Sequence, residues 1–263
     1  MRLTGSTVLL TGATGGIGHA IARGFARRGA KLVLTGRKVA ELERLADEVG
    51  GRAVVADLAE ADGVARLIAE VGAVDVLVAN AALPANGALL DFTEEQVKRA
   101  LAVNLEAPIA LAHGLVPSMV AARRGHVVLI GSLSGKVASA YASLYNATKF
   151  GLRGFALGLR EDLHGSGVGV SIVQPGFVRD AGMFADTGAK PPAGMRTVSP
   201  EQVAEGVLDA VERDRAEVNV APPELRVAGV LGGAFPAFSS RLQRRLSNDE
   251  VMRRMSAANR GKR

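Results

Sequence analysis

Short apolar runs alternate with longer helical stretches along most of this chain, from Thr7 to about Ala221. The runs are continuous rather than alternately polar and apolar, which is typical of strands buried on both faces of a parallel sheet. We expect strands at 7–12, 31–36, 53–57, 74–80, 126–132, 168–176 and 216–221. Apolar residues at helical spacing predict helices at roughly 16–29, 38–49, 59–71, 93–123, 142–164 and 199–213.

The strict alternation of strand and helix predicts right-handed βαβ units and therefore an α/β fold. We expect a Rossmann-like, doubly wound parallel sheet of about seven strands with helices on both faces. No shift in composition marks a linker, so residues 1–263 are predicted to form a single domain with its core at about 5–221. The loops 81–92 and 177–198 are long and follow strand carboxyl ends, where such sheets bind ligands, so both are candidate lids.

Composition then excludes several classes of protein. Of the 263 residues, 48% are apolar and 22% are charged, as in an ordinary globular protein. There is no Cys, which excludes disulfides, thiolate catalysis and Cys-ligated zinc, and the four His are scattered, so we predict no metal site. No apolar run reaches the roughly 18 residues of a membrane span and the N-terminus lacks a signal-peptide pattern, so we expect a cytoplasmic protein.

The positive charge belongs to the C-terminal tail. Residues 241–263 hold eight Lys or Arg and two acids, so this segment alone has a net charge of +6. That value equals the formal net charge of the whole chain. Phe238, Leu242 and Leu246 fall on one helical stripe. We favour a helix that packs over the substrate pocket and ends in a frayed basic segment; the alternative is contact with a membrane surface or with an acidic partner such as an acyl carrier protein. Nucleic-acid binding is not expected, because the tail has no interleaved aromatic residues.

A glycine-rich loop lies between the first predicted strand and the first predicted helix, in the segment Thr11–Gly18. Glycines at this junction permit a tight turn and allow backbone N–H groups to approach a diphosphate at the helix N-terminus. Glycines here would also ease the packing of strand on helix. Because the loop is at the first strand–helix junction of a doubly wound sheet, we predict that it binds a nucleotide.

The end of the second strand bears on which nucleotide is bound. A preference for NAD(H) usually comes with an acidic residue there for the ribose 2′-hydroxyl, whereas an Arg suits the 2′-phosphate of NADP(H). This chain has Arg37 and Lys38 instead of an acid, so we favour NADP(H) over NAD(H). Asp57 and Leu58, after the third strand, are candidates to face the adenine ring, although Asp57 would equally serve to cap the next helix.

Tyr145 and Lys149 lie four residues apart in the predicted helix 142–164, which puts them on one face. A nearby ammonium favours the phenolate, so we expect Lys149 to lower the pKa of Tyr145 and make it usable in proton transfer near neutral pH. Such a pair also occurs by chance on solvated helices. Its meaning depends on the partners that the rest of the chain provides.

Those partners are present, and together they resemble the short-chain dehydrogenase/reductase family. The matching residues occur in the family's order: Thr11-Gly12 with Gly16 and Gly18, Asp57, Asn80-Ala81, Asn104, Ser132, Tyr145 with Lys149, and Pro175-Gly176. The resemblance covers about residues 5–221, and it implies that 222–263 is a variable C-terminal extension. Each piece is common in proteins, but their conjunction is specific.

The resemblance implies a role for each matching residue. Tyr145 would be the general acid and base, Lys149 would tune it and hold the nicotinamide ribose, and Ser132 would hydrogen-bond the substrate oxygen. Asn104 would hold a water that relays protons from Lys149, or would be only a helix-bend residue. The expected cofactor contacts are Gly12, Thr14, Gly15, Gly16, Ile17, Gly18, Arg37, Asp57, Leu58, Asn80, Ala81, Tyr145, Lys149, Pro175, Gly176 and Val178.

Two departures from the family pattern concern the loops. Ala79-Asn80-Ala81-Ala82 stands where the family often has Asn-Asn-Ala-Gly, which weakens the expected contacts between neighbouring strands. Asp180 stands where the family often has Thr, and a carboxylate there would repel a diphosphate unless Arg179 or Arg196 offsets it.

We therefore predict an NADP(H)-dependent oxidoreductase that interconverts a carbonyl and an alcohol by hydride transfer, with a hydrophobic small-molecule substrate. The alternatives are an NAD-dependent dehydrogenase of the same family and a non-catalytic dinucleotide-binding scaffold or sensor. The resemblance also implies a homo-oligomer, a dimer or tetramer, with helices 93–123 and 142–164 as interface elements.

Overall fold

A computed structural model describes residues 1–185, 196–237 and 239–241 of the chain. Its centre is one seven-stranded parallel sheet in the order β3-β2-β1-β4-β5-β6-β7, which confirms the predicted fold class. The strands are β1 (Thr7–Thr11), β2 (Lys31–Gly36), β3 (Arg52–Val55), β4 (Val76–Ala79), β5 (Gly125–Ile130), β6 (Val168–Pro175) and β7 (Glu217–Val220). The order reverses between β1 and β4, and doubly wound sheets bind their ligands in the crevice at such a reversal.

Helices cover both faces of the sheet. Those in the described residues are α1 (Gly16–Arg27), α2 (Val39–Val49), α3 (Gly63–Val71), α4 (Glu94–Leu101), α5 (Ala107–Ala121), α6 (Ser143–Asp162), α7 (Gly182–Ala185), α8 (Pro200–Glu212) and α9 (Pro223–Ala234). The predicted helix 93–123 is present as α4, a π-helical turn at Ala102–Glu106 and α5 in direct succession. Predicted and observed boundaries otherwise differ by a few residues at most ends.

The continuous apolar runs bury both faces of the strands, as their pattern predicts. In β1, Val8 and Leu10 pack on one side with α1 and α8, while Leu9 packs on the other with α3, α5 and α6. All three side chains are fully buried. The sheet is therefore the middle layer of three, and only its edges and strand ends remain available for a ligand.

Side-chain caps begin two of the helices where the sequence predicts helix starts. Thr93 accepts a hydrogen bond from the Gln96 amide at 3.2 Å, and the Gln96 side chain accepts one from the Thr93 amide at 3.1 Å. Ser199 and Gln202 form the same capping box before α8. These reciprocal bonds satisfy helix N–H groups that have no partner within the helix.

One helical stretch in the described residues, Glu94–Ala121, is long and apolar enough to cross a membrane by length and composition. Half of its most apolar window is buried inside the protein, where Leu111, Leu115 and Met119 pack against the sheet. The stretch thus has the burial of a core helix.

The C-terminal extension begins with α9, which packs through its glycines. Gly229 and Gly232 are buried against the segment that follows β5, with Leu133 beside Gly229 and Val137 beside Gly232. The predicted stripe of Phe238, Leu242 and Leu246 lies outside the described residues. The large apolar side chains of α9 are mostly exposed.

A buried histidine makes stability depend on pH. His126, in β5, is 2% exposed, and its Nε2 lies 2.7 Å from Ser171 Oγ, which itself donates to the Arg215 carbonyl at 2.6 Å. Burial lowers the pKa of His126 to about 4; Asp214 raises it slightly, while the N-terminal amine and Arg160 lower it further. An unfolded chain would titrate near the ordinary value of about 6.5.

Between about pH 6.5 and 4 the unfolded state therefore binds more protons than the native state, and stability falls as the pH falls. We expect His126 to account for a loss of about 3 kcal/mol across this window. In His126→Gln, denaturant unfolding at a series of pH values should show a correspondingly flatter dependence. The same replacement at the exposed His164 controls for the loss of one imidazole. An unchanged slope in His126→Gln would contradict the assignment.

Candidate active site

The glycine loop is clamped to the end of β4. Thr11 Oγ1 accepts hydrogen bonds from the backbone amides of Asn80 and Ala81, both at 3.0 Å. Asn80 Nδ2 donates in return to the carbonyls of Thr11 and Gly12 at 3.1 and 3.0 Å. The expected weakening of the strand contacts at this point is therefore wrong, because Asn80 and Thr11 make them without a second asparagine.

Two of the loop glycines are required by space. Gly12 has φ +63°, and a Cβ on it would lie 2.7 Å from the Ala81 Cα. A Cβ on Gly18 would lie 2.3 Å from the Gly12 carbonyl oxygen. The sequence thus places glycine where the loop turns back on itself and where α1 starts against it.

The start of α1 fits a diphosphate. Gly15, the N-cap, and Gly16 are exposed, and the first turn carries no acidic residue. Unpaired N–H groups and the positive end of the helix dipole make such a terminus an anion site. Within the loop, Thr14 faces the end of β2, because a Cβ on Gly36 would be 3.2 Å from Thr14 Oγ1. Ile17 is partly buried against the core.

Arg37, at the end of β2, points toward Asp57, at the end of β3. Its side chain is 54% exposed, and Nη1 lies 3.8 Å from Asp57 Oδ2. Arg99, from α4, approaches the same oxygen at 3.1 Å, so two guanidinium groups face one carboxylate. Lys38 is paired with Glu41 at 3.0 Å. The pocket therefore has an excess of positive charge, and the contribution of Arg99 had no signal in the local sequence.

Asp57 does not cap the following helix. Its Oδ1 accepts from the Ala59 amide at 3.0 Å, which makes a local turn, while α3 begins later with Asp62 as its N-cap. Leu58 is partly buried and packs on the core beneath α3 and α5.

Ser132, Tyr145 and Lys149 come together at the carboxyl edge of the sheet. Ser132 follows β5 and hydrogen-bonds Tyr145 through the two side chains. Ser132 Oγ also accepts from the Ser134 amide at 3.1 Å, so its own proton is available for the tyrosine oxygen. Lys149 Nζ lies 5.7 Å from the centre of the Tyr145 ring.

The electrostatics of this group differ from the expectation in one respect. Burial raises the pKa of Tyr145, and the hydrogen bond from Ser132 acts in the opposite direction. Desolvation of the phenolate outweighs the contact with Ser132, and Lys149 is not among the groups that shift this pKa, contrary to the prediction that it lowers it. Burial also lowers the pKa of Lys149 to about 8, and its ammonium donates to the Ile130 carbonyl at 2.9 Å.

Asn104 lies in the π-helical turn, with both ends of its amide engaged. Oδ1 accepts from the Leu83 amide at 2.6 Å, and Nδ2 donates to the Leu83 carbonyl at 2.9 Å. The side chain thus anchors the loop 81–92 to the π-helical turn. Pro108 has no N–H, so the Asn104 main-chain carbonyl lacks the donor that a regular α-helix would supply four residues later.

The segment after β6 lies across the glycine loop. Pro175 is buried and Gly176 lies beside Leu133 and Ala221, while the Val178 side chain is 6% exposed and packs in the core. Only the backbone of Val178 is thus available to a cofactor.

Further along the segment, a Cβ on Gly16 would be 2.4 Å from the Ala181 Cβ. Asp180 has φ +64° and is paired with Arg179 at 3.3 Å, whereas Arg196 is paired with Glu224. Residues 186–195 of this loop lie outside the described ranges.

No group of three or more His, Asp or Glu is arranged to hold a metal ion within the described residues. The diphosphate loop and the Ser132–Tyr145–Lys149 group lie at the same edge of the sheet, on either side of the order reversal. Nucleotide-dependent oxidoreductases are the class of protein that this fold and site define.

The comparisons with known proteins identify the family. A protein-family model described as short chain dehydrogenase matches residues 6–192. The chain is 35% identical over 227 residues to Ketoacyl reductase HetN from Nostoc sp., covering 83% of this chain and 79% of that protein. It is 32% identical over 259 residues to Dehydrogenase/reductase SDR family member 7B from Bos taurus, with coverages of 90% and 80%.

A solved short-chain dehydrogenase from Sphingobium yanoikuyae in complex with NADPH is also similar. It shares 29% identity at a TM-score of 0.77, covering 89% of this chain and 95% of that one. This chain therefore belongs to the short-chain dehydrogenase/reductase family, and it is an oxidoreductase of that family acting on CH–OH groups.

Proposed function

We propose that this protein is an NADP(H)-dependent reductase or dehydrogenase that interconverts a carbonyl and an alcohol with Tyr145 as the proton donor and acceptor. The observation that carries the proposal is the contact of Ser132 with Tyr145 beside the buried Lys149, at the sheet edge that also holds the glycine loop. A dinucleotide-binding scaffold without turnover would not need Ser132, Tyr145 and Lys149 to lie together.

The bound cofactor would supply the hydride to the carbonyl carbon, or accept it from the alcohol carbon. Tyr145 donates its proton to the substrate oxygen in reduction and takes it back in oxidation. Ser132 donates a hydrogen bond to the same oxygen and stabilises its developing negative charge. Lys149 would hold the nicotinamide ribose and return a proton to Tyr145, and a water at Asn104 would link Lys149 to solvent.

The preference for NADP(H) is supported by the charges at the end of β2. Arg37 and Arg99 face Asp57 without a further acid, and the side chain of Arg37 is half exposed. The glycine loop and α1 would hold the diphosphate, and Asp57 would face the adenine. The relative solved with NADPH supports the same choice. The competing proposals are NAD(H) as the cofactor, and a scaffold that binds the dinucleotide without turnover.

The substrate is proposed to be a hydrophobic carbonyl compound. The support is the name of the relative HetN, a ketoacyl reductase. The test is a screen of ketones, aldehydes and acyl-chain substrates with NADPH and NADH, followed at the nicotinamide absorbance band. Cofactor binding without turnover of any carbonyl or alcohol would favour the scaffold.

A homo-oligomer built on helices 93–123 (α4 and α5) and 142–164 (α6) is also proposed. On α6, a Cβ at Gly154 or Gly158 would meet nothing within 4 Å among the described residues, whereas one at Gly151 would lie 3.1 Å from Leu105. A glycine inside a helix costs roughly 1 kcal/mol relative to alanine, so Gly151 has a reason within the chain and the other two do not. Close approach of a second copy would explain them, and Phe150, 42% exposed, would be covered by it.

We expect Gly154→Arg to convert the oligomer into a monomer in light scattering, because the new side chain fills the proposed contact. The monomer itself should fold, since the position is open. Glu43→Arg, on the exposed face of α2, is the control and should keep the assembly state of the wild type. A wild-type protein that is monomeric at micromolar concentration would refute the proposal.

A further inference from the structure

Gln174, near the end of β6, is a fully buried amide whose two polar atoms have no partner among the described residues. It is 0% exposed, and neither Nε2 nor Oε1 makes a hydrogen bond. A buried polar group without a hydrogen-bond partner destabilises the folded state. A glutamine buried near the end of a strand thus requires a compensating contact, and a bound water is the usual one.

A second unpartnered atom lies beside it. Asn219 on β7 is in register with Gln174, so the two side chains project from neighbouring strands on the same face of the sheet. Asn219 Oδ1 is buried and also lacks a partner. The two residues thus offer three free polar atoms, and a buried water makes about three hydrogen bonds.

Gln174 lies directly beneath the loop that carries Ser132. A Cβ on Gly131 would lie 3.3 Å from Gln174 Cγ, and one on Gly135 would lie 3.3 Å from Gln174 Oε1. The same Cβ on Gly135 would be 2.7 Å from the Lys149 carbonyl oxygen. The amide therefore sits where the Ser132 loop packs on α6, and the glycines on both sides of Ser132 leave room for it.

The far end of this loop is tied to the same strands by charge. Lys136 forms an ion pair with Glu217 on β7, and Arg153 from α6 approaches Glu217 at 2.9 Å. Asn219 Nδ2 donates to Glu217 at 3.4 Å. The polar groups beneath the loop thus form one continuous cluster from Gln174 through Asn219 and Glu217 to Lys136.

We propose that Gln174 is a positioning residue: with Asn219 it binds a buried water beneath the Ser132 loop, and this water holds Ser132 in contact with Tyr145. This role rests on the proposed oxidoreductase function. Gln174 touches neither the substrate nor the cofactor in this role. It acts through the Ser132 loop, where a displacement of about 1 Å costs on the order of 100-fold in rate.

Gln174→Met tests the proposal because it keeps the shape of the side chain and removes both polar atoms. We expect kcat to fall about 10- to 100-fold, with the KM for the carbonyl and the NADPH Kd within about 3-fold of the wild type. The melting temperature should fall by no more than a few degrees, because Asn219 Oδ1 loses the shared water while the cost of burying the Gln174 amide is removed. The pH profile of alcohol oxidation should move to higher pH, because the Ser132 hydrogen bond that lowers the pKa of Tyr145 is loosened.

Thr35→Val is the matched control, since Thr35 Oγ1 is another buried atom without a partner and lies on β2. It should leave kcat and the pH profile unchanged. A Gln174→Met protein with the kcat and pH profile of the wild type would overturn the proposal, and so would a loss of kcat that merely follows a loss of folded protein.

A high-resolution crystal structure gives a readout that does not depend on turnover. In the wild type we expect a water within hydrogen-bond distance of the Gln174 amide and Asn219 Oδ1, and in Gln174→Met we expect that water to be gone. An empty or directly bonded Gln174 in the wild type would overturn the proposal. If no carbonyl is turned over, the proposed function fails, and the water still decides the binding role of Gln174.

Discussion

Tyr145→Phe is expected to lower kcat by about 10²- to 10⁴-fold, because it removes the one hydroxyl placed to exchange a proton with the substrate oxygen. The phenylalanine ring keeps the packing of Tyr145 against Leu144 and Ala85 and its place beside Lys149. The NADPH Kd should therefore stay within about 3-fold of the wild type. Steady-state kinetics with a substrate from the carbonyl screen, together with a fluorescence titration of NADPH, would measure both quantities.

The chain provides a matched control in its only other tyrosine. Tyr141 lies just before α6, with φ +55°, and its carbonyl accepts from the Gly87 amide at 2.6 Å. Tyr141→Phe leaves that backbone contact intact and should change kcat by no more than about 3-fold. If Tyr145→Phe turns over at the wild-type rate, the proton is supplied by another group and the proposed mechanism fails.

Arg37→Ala is expected to weaken NADPH binding about 10- to 100-fold and NADH binding by less than about 3-fold. A charge-assisted hydrogen bond to a phosphate is worth about 1.5–3 kcal/mol, and only NADPH carries the 2′-phosphate. The measurement is a pair of titrations of the same variant with the two cofactors. Arg99 remains next to Asp57, so the pocket should keep part of its preference.

Lys38→Ala is the control for Arg37, because Lys38 is exposed and paired with Glu41. Its removal should change both affinities by less than about 3-fold. Equal weakening of NADPH and NADH in Arg37→Ala would show that the residue supports the pocket as a whole, and would remove it from its role in cofactor choice.

Much of the fold could be predicted from the pattern of apolar and polar residues. The buried runs could only be strands covered on both faces, and the intervening amphipathic stretches could only be crossover helices, so the seven-stranded doubly wound sheet follows from local periodicity. The glycine loop was predicted from its glycines at the first strand–helix junction. The structure explains two of them, because a Cβ on Gly12 or Gly18 would collide with the backbone. The four-residue spacing of Tyr145 and Lys149 was enough to predict that they share one face of a helix.

What the pattern did not reveal depends on partners distant in the chain. Arg99 binds Asp57 from another helix, and the Asn104 amide hydrogen-bonds the backbone of Leu83. Burial raises the pKa of Tyr145, whereas the neighbouring Lys149 had suggested a lower value. No local spacing encodes any of these contacts.

By itself, the sequence determined the layers of the fold, the glycine loop and the placement of Tyr145 and Lys149 on one helix face, because periodicity and glycine sterics act over a few residues. Only the tertiary structure decided how those groups are tuned, because desolvation and hydrogen bonding depend on every segment that packs around them. The clearest case is Gln174, which is an unremarkable polar residue in the strand and becomes an unpaired buried amide only when the loop after β5 closes over it.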